Sequence, residues 1–96
     1  MNKDSIQNFQ SALKDFLKEE QLERTFKQKQ LIANWEKVMG KTIASRTSKI
    51  FFKDKTIFVK LTSAPLKQEL QNSREEFLKL INNELGREKI NEIKII

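Results

Sequence analysis

The residues best able to do chemistry lie in one stretch of twenty, where Lys41, Arg46, Lys49, Lys53, Lys55 and Lys60 are opposed by a single acid, Asp54. Two aromatic residues, Phe51 and Phe58, stand among them. Ammonium and guanidinium groups neutralise phosphates, and aromatic rings between them offer faces on which bases stack, the combination used by single-strand binders. The stretch holds nearly all of the chain's net charge of +6, because the segments before and after it are close to balanced. A lysine-rich edge that merely keeps the protein soluble is the plainer account of such charge. Its confinement to one segment raises a polyanion partner to equal standing.

The residue types needed for catalysis are scarce. His, Cys and Tyr are absent, so the usual general bases, thiolate nucleophiles and zinc ligands are missing together. The carboxylates fall mostly three or four residues from a base, as in Glu20 with Arg24 and Glu75 with Lys79, the spacing of surface ion pairs along a helix. Gly40 and Gly86 are the only glycines, and both suit helix ends, which leaves no glycine-rich phosphate cradle. The expectation is a protein that is not an enzyme and takes no cofactor, metal or small-molecule substrate.

These residues need a scaffold to position them, and length bounds it. A chain of 96 residues has room for one domain, expected over residues 1–96, burying about 60 to 65% of its unfolded surface. Apolar residues at 38% against charged ones at 33% fit a folded chain rather than a disordered one. The absence of cysteine suits a reducing compartment, and there is neither an apolar leader region near the N-terminus nor a run long enough to span a membrane. A soluble, cytoplasmic protein is expected.

Along the chain, Ile6, Phe9, Leu13, Phe16 and Leu17 recur at spacings of three and four and predict a helix from Ser5 to Glu20, with Asp4 or Ser5 as its cap. A second helical stripe follows in Phe26, Leu31, Ile32, Trp35, Val38 and Met39, ended by Gly40 in a left-handed conformation. The break near Glu20 to Leu22 is weakly marked, so a single kinked helix also fits. The period then changes to two: residues 49–53 and 56–61 read as a β-hairpin about Asp54-Lys55. Ser63-Ala64-Pro65 signals a helix start, and Leu66, Leu70, Phe77, Leu78, Ile81 and Leu85 mark one long helix ended by Gly86. Residues 90–96 form a last strand. The fold class is α+β, in the order α-α-β-β-α-β, with a three-stranded sheet packed against helices. The N-terminal helices are expected to bury their stripes on the same core, and one sheet face is left open.

Within the hairpin the expected facing pairs are Phe52 with Ile57, Phe51 with Phe58, Ile50 with Val59 and Lys49 with Lys60. Alternation sends Ile50, Phe52, Ile57 and Val59 to one face, and Phe51 and Phe58 to the other beside Lys49, Lys53 and Lys60. Two readings of that second face compete. Either it is an exposed nucleic-acid surface, or, as the plainer account that stands somewhat ahead, an N-terminal helix buries the two rings and the lysines snorkel at its rim. Trp35, in register with Ile32 and Val38, is expected in the core.

The order Trp35-Glu36-Lys37-Val38-Met39-Gly40, then Ile43-Ala44 and Thr47, then the hairpin, Ser63 with Leu66, Glu69-Leu70, Ile81-Asn82 and Gly86 resembles the DciA family of bacterial proteins, long catalogued as a domain of unknown function. The likeness runs from about Leu22 to Ile96. It implies a KH-like α/β domain, DNA binding, and a role in chromosome replication in which the family assists loading of the replicative helicase. Longer members carry a flexible C-terminal extension implicated in helicase contact, whereas this sequence ends just after the last strand. The Gly-x-x-Gly loop of ordinary KH domains is absent. The expected function is thus a non-enzymatic accessory protein of DNA replication, with single-stranded or forked DNA and the replicative helicase as partners, and no membrane. Lys41, Arg46, Lys49, Phe51, Lys53, Lys55, Phe58 and Lys60 are the expected nucleic-acid contacts. An RNA-binding KH-like module and an interaction module for an acidic protein stand as alternatives.

Overall fold

A computed structural model describes the backbone from Lys3 to Ile96 and side chains from Ser5 onward. Its first element, α1 (Lys3–Ala33), is a single 31-residue helix. No Gly or Pro interrupts this segment, and straight-chain helix formers dominate it, so nothing in the backbone favours a break near Glu20. Asp4 and Ser5 lie inside the helix rather than at its cap, and the side chain of Asp4 lies outside the described residues.

The break comes later than the sequence suggests. Asn34 leaves helical geometry at φ −102° and ψ 18°, and α2 (Trp35–Met39) follows. Gly40, at φ 91° and ψ 161°, then turns the chain into a further short helix, α3 (Lys41–Ser45), which the hydrophobic spacing does not announce. That ψ is far from the left-handed helical region expected of a helix-ending glycine, and the conformation is one that essentially only glycine adopts.

The hairpin, β1 (Thr47–Lys53) and β2 (Thr56–Leu61), forms in the expected register, from Lys49 opposite Lys60 to Phe52 opposite Ile57. Lys53 pairs with Thr56, so the loop is the two residues Asp54 and Lys55, and Asp54 carries the positive φ of 55°. Asx residues tolerate that region better than most. An irregularity between Thr47 and Lys49 leaves Ser48 as the extra residue of a bulge.

The long helix expected after Pro65 is two: α4 (Ala64–Asn72) and α5 (Arg74–Leu85), parted at Ser73 with φ −110° and ψ 24°. Ser63 caps α4 as expected, its hydroxyl accepting from the Leu66 N–H at 3.4 Å. β3 (Glu92–Ile95) pairs in parallel with β2, so the sheet order is β1-β2-β3 with β2 in the centre. The described residues form an α+β structure of five helices and a three-stranded mixed sheet.

One sheet face carries the core. Ile57, Val59, Leu61, Ile93 and Ile95 pack with Leu70, Ile81 and Leu85 from α4 and α5, and with Leu31, Trp35 and Met39 from α1 and α2. Ile50 and Phe52 lie at its margin. Two polar clamps hold this arrangement. The Trp35 Nε1–H donates to Thr47 Oγ1 at 3.0 Å, and that hydroxyl donates onward to the Ile43 carbonyl at 2.7 Å, tying α2, α3 and β1 together. The Asn82 carboxamide accepts from the Ile90 N–H at 2.8 Å and donates to the Ile90 carbonyl at 3.0 Å, fixing the chain that enters β3.

The N-terminal stripe does not join this core. Ile6, Phe9, Leu13, Phe16 and Leu17 are exposed, as are Phe26 and Ile32 of the second stripe, against the expectation that each stripe would be buried on the sheet. At 1.5 Å per residue α1 is about 46 Å long, more than twice the breadth of the remainder, and among the described residues the large apolar side chains of its first half stay exposed. The molecule therefore measures 63 × 21 × 19 Å.

Candidate nucleic-acid interface

Opposite the core, no helix among the described residues covers the sheet. Strand alternation places Lys49, Phe51 and Lys53 of β1, Thr56, Phe58 and Lys60 of β2, and Glu92 and Lys94 of β3 on this open face. The rings of Phe51 and Phe58 are half-buried, and what buries them is largely each other: they stack with centroids 4.7 Å apart and planes 4° from parallel. Burial beneath an N-terminal helix, the plainer account from the sequence, is thus overturned, because α1 packs only on the other side and then runs off the domain.

Each ring carries an ammonium group. Lys49 Nζ lies 5.3 Å from the Phe51 centroid and Lys94 Nζ 5.7 Å from that of Phe58. A base stacking on an outer ring face must displace one of these lysines. An exposed cation–π contact is worth about 0.5 to 1 kcal/mol, whereas a stacked base contributes about 1 to 3, and the displaced ammonium is freed for a phosphate. The exchange is favourable on these magnitudes. Lys49 also faces Lys60 directly across the strands, a like-charge pair that destabilises the bare sheet and that an anion relieves.

Four lysines therefore surround the aromatic pair, and Glu92 is the one carboxylate that the strands place on the same face. Among the described residues the one ion pair is elsewhere, Arg24 Nε to Glu88 Oε2 at 3.3 Å. Arg24 is expected from its spacing to serve Glu20 on its own helix; it reaches across to the α5–β3 connection instead.

Of the residues singled out in the sequence, Lys49, Phe51, Lys53, Phe58 and Lys60 come together. Lys41 does not join them: it opens α3. Arg46 follows that helix, and its carbonyl accepts from both the backbone N–H and the hydroxyl of Thr62. Lys55 sits in the hairpin turn, in a polar groove with Arg24, Asp54, Arg87, Glu88 and Lys89. Lys94 joins this face and is missed by sequence reasoning. Its alternation in Glu92-Ile93-Lys94-Ile95 is visible, but only the pairing of Phe58 with Lys94 brings it to the aromatic pair. No group of three or more His, Cys, Asp or Glu side chains that could hold a metal occurs among the described residues. Nor is any helix among them long and apolar enough to cross a membrane.

The clamps, the α4 cap and the glycine turn described above fall on Trp35, Gly40, Ile43, Thr47, Ser63 and Asn82, residues of the sequence pattern that carries the family resemblance. Residues 8–95 match the family described as Dna[CI] antecedent, DciA. The chain belongs to the DciA family. No curated protein matches it. DciA proteins are associated with helicase loading in replication, as loading or accessory factors. In this DciA chain the pattern residues are structural. Trp35 and Thr47 lock the helices to β1, Gly40 makes the turn between α2 and α3, and Asn82 holds the approach to β3. None of these lies among the residues of the open face.

Proposed function

We propose that this protein acts without catalysis as an accessory factor of DNA replication, holding single-stranded or forked DNA against the open sheet face while the replicative helicase is loaded. The observation that carries this reading is the Phe51–Phe58 stack with Lys49 and Lys94 over its rings and Lys53 and Lys60 alongside. A rigid sheet presents these groups at fixed spacing, and neither ring needs reorganising to receive a base. Lys41, Arg46 and Lys55 lie off this face and would serve as peripheral phosphate contacts. Nothing on the face reads base edges, so binding is blind to sequence.

The test is a salt titration of binding to a fluorescent oligothymidine. Each phosphate contacted on a single strand contributes roughly −0.7 to the slope of log K against log salt, so four lysines give about −3. Lys49→Glu, Lys53→Glu and Lys60→Glu together abolish binding, while Lys79→Glu with Lys89→Glu leaves it within about twofold, since long-range attraction between exposed charges is screened. A folded triple variant that binds with an unchanged slope refutes the assignment. Equal loss of binding to single-stranded RNA is expected from a face without base readout; preference for RNA over DNA would move the protein to RNA metabolism.

A further inference from the structure

The exposed half of α1 is the largest feature that the sheet face does not use. Ile6, Phe9, Leu13, Phe16 and Leu17 are 44%, 69%, 46%, 55% and 55% exposed, on a helix whose other end is packed on the domain. Leu13 and Leu31 are five helical turns apart at 3.6 residues per turn, so the bare stripe and the buried Leu31 lie on one face. Arg24, which reaches Glu88, lies on that face too. The surface that α1 presents to its own domain therefore continues past the domain's edge, from about Glu20 back toward the N-terminus, with none of the described residues against it.

We propose that a second copy of this chain covers the stripe, as an antiparallel pair of α1 helices. The stripe is self-complementary in that orientation. Ile6, Phe9, Leu13 and Phe16 are spaced three, four and three apart, the a and d positions of a heptad seam. With the two-fold axis level with Ser11, the layers become Ile6 on Phe16, Phe9 on Leu13, and their symmetry mates, so every layer is apolar on both sides. A parallel pair is blocked, because each domain occupies the seam face from Glu20 onward and would meet the partner helix. The antiparallel pair seats each helix end in the other's overhang and sends the two domains to opposite ends. At the stated exposures the five side chains offer roughly 500 to 600 Å² of apolar surface per copy, a large patch for a monomer. Two copies bury about 1,000 Å² or slightly more, at the lower end of specific interfaces and suited to a weak, concentration-dependent dimer. Because α1 is already a helix tethered to the domain, association does not have to fold it.

Sedimentation equilibrium of the full chain tests this. A monomer at low micromolar concentration should become a dimer, with twofold mass, by a few hundred micromolar, as a dissociation constant on the order of tens of micromolar requires. Leu13→Glu with Phe16→Glu should hold the chain monomeric throughout, with unchanged far-ultraviolet dichroism and melting temperature at low concentration, since neither residue is in the core. Gln10→Cys reports orientation. Position 10 flanks the seam and meets its own mate across the antiparallel two-fold, so it should form a disulfide-linked dimer on oxidation, whereas Ile6→Cys should not. A wild-type chain that stays monomeric, a double variant that still dimerises, or cross-linking at position 6 instead of 10 would each overturn the proposal. It is independent of the DNA reading, because the lysine variants of the sheet face should dimerise normally.

Discussion

Replacing Thr47 with Val tests whether the polar relay under Trp35 is what seats the helices on the hairpin. The substitution conserves volume and the strand-favouring branched shape, and removes one hydroxyl. That hydroxyl accepts from the Trp35 indole at 3.0 Å and donates to the Ile43 carbonyl at 2.7 Å. The carbonyl keeps a partner, since the Arg46 N–H also donates to it at 3.1 Å, so the change strands only the indole N–H. Leaving a buried donor unpaired costs about 1 to 3 kcal/mol, and the partial burial of this bond puts the expectation near the lower half, about 1 to 2. For a domain of this size that is a fall in melting temperature of about 4 to 16 °C. Trp35→Phe removes the donor and its own share of packing. In the Trp35→Phe background no N–H is left to strand, so Thr47→Val should cost at least about 1 kcal/mol less than in the wild type, a coupling expected for contacting residues. Urea unfolding of the four proteins, followed by far-ultraviolet dichroism so that loss of the indole does not blind the probe, gives the cycle. Equal costs in the two backgrounds would refute the relay and leave Trp35 as packing alone.

Other outcomes follow from the same geometry. Trp35→Ala, at a position only 5% exposed, should destabilise by about 3 to 5 kcal/mol, checked by the same unfolding measurement. Phe58→Ala should weaken oligothymidine binding by about 1 to 3 kcal/mol, and because the ring is stacked on Phe51 rather than sunk in the core, its cost in stability should stay well below that of Trp35→Ala. Asn82→Ala removes both bonds to Ile90 and strands that backbone N–H; about 1 to 3 kcal/mol should be lost, with hydrogen exchange accelerating first at Ile93 and Ile95. Gly40→Ala meets no atom within 4 Å, so its whole effect, about 1 to 3 kcal/mol in chemical denaturation, should come from forcing a side chain onto φ 91° and ψ 161°.

Much of the architecture is legible in local pattern. The alternation on either side of Asp54-Lys55 allows one register without sending charges into the core, and the observed pairs from Lys49–Lys60 to Phe52–Ile57 are those. Ser63-Ala64-Pro65 carries its own capping chemistry, and Gly40 and Gly86 mark positions where the backbone takes positive φ. These features depend on a few neighbouring residues and on side chains whose physical demands are narrow.

What local pattern could not decide depends on distant partners. The stripe from Ile6 to Leu17 reads as buried, because amphipathicity shows that a helix face is apolar but not which molecule covers it. Asn34 and Ser73 break their helices without Pro or Gly, since each turn is set by where the next apolar residues must reach the sheet. The exposure of Phe51 and Phe58 hinged on which side α1 took. Lys94 joins them only because β3 pairs in parallel with β2, a contact between residues far apart in the chain. Composition and spacing determined the strands, their register and the lysines of the hairpin. Only the tertiary structure decided that these lysines share an uncovered face with an aromatic pair, because the energy that selects a face is the burial of the opposite one.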